Sequence, residues 1–140
     1  MGRGEIKIPE DLRYTKDHEW ARAEGKVVRV GVTDYAQAKL GDVVYVELPS
    51  VGKSVRQLGD KKERDMEVAI LESIKAVSAV YAPVSGTIRE VNAELRDRPE
   101  LVNTSPYDRG WICTIEPKDP DEIKKLMSAR EYEEYLKALG

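Results

Sequence analysis

The tightest constraint on the fold lies in residues 66–86, "MEVAILESIKAVSAVYAPVSG", where two stretches of period-two hydropathy are separated by only a few residues. Met66, Val68 and Ile70 alternate with Glu67, Ala69 and Leu71, which predicts a strand with one favoured inner face. Beyond the break, Val77, Ala79 and Tyr81 share one face and Ala76, Ser78 and Val80 the other, until Pro83, which has no N–H to donate, ends free pairing. Two strands this close must be joined by a turn within "ESIKA". That segment lacks the Asn-Gly or Asp-Gly of a primed two-residue turn. A type I turn is therefore predicted, with Glu72 or Ser73 at the first corner and Ile74 and Lys75 at the centre. Lys75 then stands at the tip of a hairpin, away from the core.

The rest of the chain repeats this style of short strand and turn. "KVVRVGV" follows the turn-like "AEGK", "DVVYVEL" runs into "PSVG", and "WICTIEP" closes the strand-rich region. Between the first two, Thr33 is placed to cap a short helix and Gly41 to end it. The tail changes period. Asp119, Pro120 and Glu122 supply a cap, a first-turn proline and a capping-box partner ahead of Ile123, Leu126 and Met127. Ser128 and Glu131 repeat the box before Tyr132, Tyr135, Leu136 and Leu139 at helical spacing. The reading is thus mainly β, with two short C-terminal helices packed on the sheet. A weak echo, Gly-x-apolar-x-x-Val in "GDVVYV" and "GTIREV", would suit two similar halves of a β-sandwich.

A chain of 140 residues is long enough for one domain with a real core and too short for two comfortable ones, so one domain over residues 1–140 is expected. The 23 basic and 26 acidic residues are interspersed and leave a net charge of -3, which offers nucleic acid or an anionic membrane no basic surface. No apolar run approaches the length of a membrane span, and "MGRGEIKIPEDL" has no apolar signal region. One cysteine, Cys113, and one histidine, His18, exclude an intrachain disulfide and a Cys/His zinc cluster. A cytoplasmic chain fits these features best.

A solvated primary amine is protonated near neutral pH and a poor nucleophile, and Schiff-base lysines escape this only by desolvation or a neighbouring cation. A hairpin tip offers neither, and Glu72 close by favours the charged form. The position suits an amine presented to another protein's active site, on a rigid support with a carboxylate beside it. An ordinary solvated turn lysine would look the same.

Further residues separate these readings. "ESIKAVSAVYAPVSG" resembles the lipoyl-attachment hairpin of the glycine cleavage system H protein family, with Lys75 at the lipoylated position, and Glu72 and Gly86 in the surrounding recognition pattern. "HEW" at 18–20, "GVTDYAQAKLGDVVYVELPSVG" at 31–52 and "PELVNTSPYDRGW" at 99–111 resemble the same family in the same order, so the likeness covers about residues 10 to 138. Biotin carriers usually flank their lysine with methionines, whereas Lys75 lies between Ile74 and Ala76.

The resemblance implies a lipoyl/biotinyl-type hammerhead β-sandwich with a short internal helix and C-terminal helices. It also implies a carrier rather than an enzyme. Lipoate attached as an amide to Lys75, by a lipoate-attaching enzyme, would form a swinging arm. A pyridoxal-phosphate glycine decarboxylase (P protein) would load it with an aminomethyl group. An aminomethyltransferase (T protein) would pass the carbon to tetrahydrofolate, and dihydrolipoamide dehydrogenase (L protein) would reoxidise the dithiol. The loaded arm would fold back into a cleft that includes Asp17, His18 and Glu19, with Glu19 meeting the amine; solvated polar residues at a strand end are the plainer reading of these three.

The chain departs from that pattern in two places. Ala79 stands where many family members carry an acidic residue, and "VGKSVRQLGDKKERDMEV" is several residues longer than usual, with the insertion in "GDKKERDM". An H-like lipoate carrier serving sulfur oxidation or lipoyl relay is the competing function, and a non-lipoylated binding protein a third.

Overall fold

The computed structural model describes residues 5–140, so residues 1–4 of the expected 1–140 domain and of the N-terminal stretch lie outside the described residues. In chain order the strands are β1 (Arg13–Tyr14), β2 (Glu19–Glu24), β3 (Val27–Val32), β4 (Val43–Glu47), β5 (Ser54–Val55), β6 (Glu67–Ser73), β7 (Val77–Tyr81), β8 (Gly86–Val91) and β9 (Cys113–Pro117). The helices are α1 (Asp34–Leu40), α2 (Glu94–Asp97), α3 (Leu101–Thr104) and α4 (Ala129–Leu139). Two antiparallel sheets result, one of six strands in the order β1-β2-β3-β9-β8-β5 and one of three in the order β4-β6-β7.

The sheets share a core. Val28, Val30, Ile88 and Ile115 from the larger sheet and Val43, Val46, Leu71 and Val80 from the smaller one belong to a single buried cluster. The fold is thus a mainly β sandwich with short helices. The echoed segments fall on different sheets, as β4 and β8, and bury the same third position, Val43 and Ile88. A second, aromatic cluster of Leu12, Tyr14, Trp20 and Tyr132 fixes α4 against β1 and β2, with the Tyr14 and Tyr132 rings stacked 4.6 Å apart.

The local stop signals act as their chemistry requires. Thr33 accepts from Ala36 N to start α1, and Gly41, at φ 87°, ends it. Ser128 and Glu131 form a complete capping box on α4.

Three expectations need correction. Pairing of β6 with β7 is interrupted by an irregularity between Glu67 and Ala69, so Val68 and Ala69 are both buried and Ile70 turns to the outer face with Glu72. One extra residue inverts the alternation expected of Ile70. The helix expected after Asp119 is a single 3-10 turn over Glu122–Lys125, because the Glu122 carboxylate accepts from Ser85 N (2.6 Å) and Ser85 Oγ (3.2 Å) instead of closing a capping box. Leu139, expected on the packed face of α4, is 49% exposed.

Candidate functional site

The hairpin tip is built from β6, β7 and Ser73. Ser73 N donates to Ala76 O (2.8 Å), and the Ser73 hydroxyl accepts from Lys75 N (3.3 Å) and Ala76 N (3.1 Å). Ser73 is therefore the first corner, and its side chain takes the place of the backbone acceptor that would otherwise close the turn. His18 is the only non-glycine described residue with positive φ, so Ile74 and Lys75 sit at the centre of an unprimed turn without strain. Ile74, Lys75, Ala76 and Val77 are all exposed.

The lysine stem lies against the end of α1: a Cβ placed on Gly41 would fall 3.3 Å from Lys75 Cε. Asn103 buttresses this corner by donating to Gly41 O (2.9 Å) and accepting from Val43 N (2.8 Å). Gly41 reads from the sequence only as a helix stop, and Asn103 carries no local signal beyond its place in the "PELVNTSPYDRGW" segment.

Glu72 lies beside the tip, half-buried, opposite Val77 on one side and Tyr45 on the other. Gly86 does not join it. It opens β8 in the other sheet, paired with Val55 and Pro117, and a Cβ there would fall 2.0 Å from Glu116 O. Its part is close backbone approach to β9.

Asp17, His18 and Glu19 point three ways. His18, at φ 74°, turns its ring onto Tyr35 (centroids 4.6 Å apart) and hydrogen-bonds the Tyr132 hydroxyl through Nδ1 (2.8 Å). Burial lowers its pKa, against the pull of Asp17. Asp17 stays partly exposed and pairs with Lys62 of the loop between β5 and β6, Nζ to Oδ2 2.7 Å. Glu19 is 1% exposed, which overturns the picture of a solvated strand-end residue. One of its oxygens is hydrogen-bonded with Thr15 Oγ1, and the other accepts from Tyr81 N at 2.9 Å. It ties β2 to the free edge of β7.

Burial pushes the Glu19 carboxyl up to about 7, against the hydrogen bonds from Thr15 and Tyr81. A carboxyl whose pKa is higher in the folded chain than in the unfolded one favours folding in its protonated form, so its contribution is present below about pH 4.5 and is lost as pH rises through about 7. The span corresponds to on the order of 3 kcal/mol. His18 acts in the opposite sense, since its depressed pKa costs stability as pH falls below its ordinary value. The test is therefore a difference. Glu19→Gln keeps an acceptor for Tyr81 N and does not titrate, and is expected to gain stability relative to the parent between pH 5 and 8 in denaturant titrations. A constant difference across that range would show that the carboxyl does not titrate there.

Val77, Ala79 and Tyr81 line the outer face of β7, leading from the lysine toward the Asp17–Lys62 pair, and Lys62 Nζ stands 5.5 Å from the Tyr81 ring centroid. The remaining nucleophile is out of play. Cys113 is buried, with its thiol pushed up to about 12, and among the described residues no group of three or more His, Cys, Asp or Glu is arranged to hold a metal ion.

A β-sandwich that offers one exposed lysine on a two-stranded tip, with an apolar track leading away from it, has the architecture of a lipoyl-type carrier domain. The chain belongs to the glycine cleavage H-protein family, whose model matches residues 12–139. It is 51% identical over 132 residues to a glycine cleavage system H protein of Bacillus pumilus, covering 94% of this chain and 98% of that protein. It is 48% identical over 129 residues to the H protein of Bacillus subtilis, covering 92% and 96%. The crystal structure of a glycine cleavage system H protein from Mycobacterium marinum superposes with a TM-score of 0.80 at 38% identity, covering 93% of this chain and 99% of that one.

Proposed function

We propose that this chain is the lipoylated shuttle of a glycine cleavage system, with lipoate held as an amide on Lys75. The observation that carries the reading is the exposed Lys75 amine at the centre of a turn closed by the Ser73 hydroxyl, in a chain of the H-protein family. The amine fits the group because an attaching enzyme can reach it from solvent, while β6 and β7 hold its backbone rigid. When bound, lipoate supplies a disulfide that opens to take up the one-carbon unit and a dithiol that is reoxidised afterwards.

The chain's own residues supply position. Ser73 and the β6–β7 ladder fix the anchor, and Glu72 offers a carboxylate to an incoming protein. Tethering replaces a diffusing intermediate with one delivered at high effective concentration. The proposed partners are the glycine decarboxylase, the aminomethyltransferase, dihydrolipoamide dehydrogenase and a lipoate-attaching enzyme, in the cytoplasm. No helix of the described residues is long and apolar enough to cross a membrane. Glycine cleavage is favoured over sulfur oxidation or lipoyl relay by the names of relatives about half identical to the chain over nearly its full length.

Reconstitution tests this reading. The lipoylated chain, mixed with a cognate glycine decarboxylase, is expected to support exchange of the glycine carboxyl carbon with labelled bicarbonate. Fully lipoylated protein that supports no exchange would turn the assignment to another lipoate-dependent system.

A further inference from the structure

We infer that the Val44–Tyr45 bulge of β4, with Ile74 and Val77 of the hairpin, is the surface on which the lipoate-attaching enzyme docks, and that it fits an apolar active-site mouth with a basic rim. This rests on the shuttle reading above. Val43 pairs with Ser73 of β6 and Tyr45 already with Glu72, so β4 carries one residue more than its partner strand at this point. Val43 and Val46 are buried in the core, and the extra residue leaves Val44 and Tyr45 both outside. The register then sets Tyr45, Glu72 and Val77 side by side across the outer face of the three-stranded sheet. At ~4.8 Å between strands, Tyr45 and Val77 lie about 10 Å apart. Among the described residues six large apolar side chains are exposed, and four of them, Val44, Tyr45, Ile74 and Val77, gather at this end of the sheet. A concentration of that kind marks an interaction surface.

Charge gives the partner its character. Asp42 and Glu47 are exposed on either side of the bulge, Glu72 lies between Tyr45 and Val77, and among the described residues none of the three forms an ion pair. Unpaired carboxylates around an apolar anchor are complementary to Lys or Arg around an apolar pocket. Reach selects the enzyme. The Lys75 side chain extends only about 6 Å from Cα to Nζ, and it lies against Gly41, on the β4 side of the tip. Attachment needs an acyl carbon in bonding contact with Nζ, so the attaching enzyme must close over the tip and its neighbours. An enzyme that works on the far end of a lipoyl-lysine stands roughly 15 Å from the backbone and need not cover them. In attachment the ammonium first gives one proton to solvent, and Nζ adds to the carbonyl of a lipoyl group activated as an acyl phosphate-type anhydride. The amide C–N bond forms, the carbonyl–oxygen bond breaks with its electron pair leaving on the phosphate, and a second proton passes from nitrogen to solvent.

The test measures attachment to the unlipoylated chain by a purified lipoate ligase supplied with ATP and lipoate. Tyr45→Thr and Val44→Thr keep a residue that suits a strand, and both should fold as the parent does. Tyr45→Thr is expected to lower kcat/KM for the chain about tenfold, through KM with kcat unchanged, as loss of an aromatic anchor does, and Val44→Thr about threefold. Added salt should lower kcat/KM for the parent, and less steeply for Glu47→Gln. Val51→Thr beyond β4 and Leu139→Thr at the end of α4 remove equally exposed apolar side chains away from the tip and should be attached at the parent rate. Tyr45→Thr driven to full lipoylation with excess ligase should then support glycine carboxyl exchange as the parent does. Attachment to Tyr45→Thr and Val44→Thr at the parent rate would overturn the inference, as would an equal loss in Val51→Thr. Normal attachment with defective exchange, or equal losses in both, would give the surface to the decarboxylase and overturn the occupant named here. A parent chain that is lipoylated normally but supports no exchange counts against the glycine cleavage assignment alone, because the comparison of attachment rates stands without it.

Discussion

Lys75→Arg is expected to abolish lipoate attachment completely while leaving the thermal midpoint within about 2 °C of the parent, the scale of a surface change below roughly 0.5 kcal/mol. Arginine keeps the positive charge and a comparable length, but it has no primary amine to form the amide and does not lose its proton in proteins. The turn itself should survive, because its hydrogen bonds run from the Lys75 and Ala76 backbone to the Ser73 hydroxyl and involve no part of the lysine side chain. Mass spectrometry of the peptide containing "ESIKAV", from cells with a lipoylation pathway, is the measurement. Lipoate on Lys61 or Lys62, or persisting in the variant, would remove the basis for the shuttle assignment.

The second large effect is on the fold. Gly86→Val is expected to cost about 3 kcal/mol or more and to lower the midpoint by on the order of 10 °C. A Cβ at this position meets Glu116 O at 2.0 Å and Ile115 Cγ2 at 2.8 Å, and the first of these is backbone of the paired strand, which cannot step aside as a side chain would. Lipoylation should fall with the folded fraction and be normal per folded molecule at low temperature, since the hairpin lies in the other sheet. Glu72→Ala should do the reverse, slowing attachment at an unchanged midpoint. A Gly86→Val protein as stable as its parent would mean that β8 and β9 do not approach as described.

Tyr14, His18, Thr33 and Tyr132 show how far apart the determinants of one corner lie. Tyr132 is 114 residues from His18 and 99 from Thr33, yet its hydroxyl bonds both at 2.8 Å. The helix that carries Tyr132 is announced locally by its Ser128–Glu131 box, whereas its target is announced nowhere in its neighbourhood. Glu19 is a parallel case. Its motif is visible in "DHEW", but its burial depends on Thr15 four residues before it and on Tyr81 sixty-two residues after it.

What the sequence determined by itself is everything written in short-range periodicity and stereochemistry: the existence of two strands around Lys75, the unprimed turn between them, the Thr33 and Gly41 limits of α1, the Ser128 box, and, through ordered motifs, the family. These depend on hydrogen bonds and side-chain faces within a few residues, which any reader of the chain can count. Only the tertiary structure decided which carboxylate meets which partner. It sent Glu19 inward to Tyr81, drew Glu122 away from its own helix to Ser85, turned Ile70 outward through an irregular pairing, and laid Lys62 on Asp17. A polar group takes the partner that desolvates it at least cost, and that choice is made among groups brought together by the packing of two sheets rather than by their order along the chain.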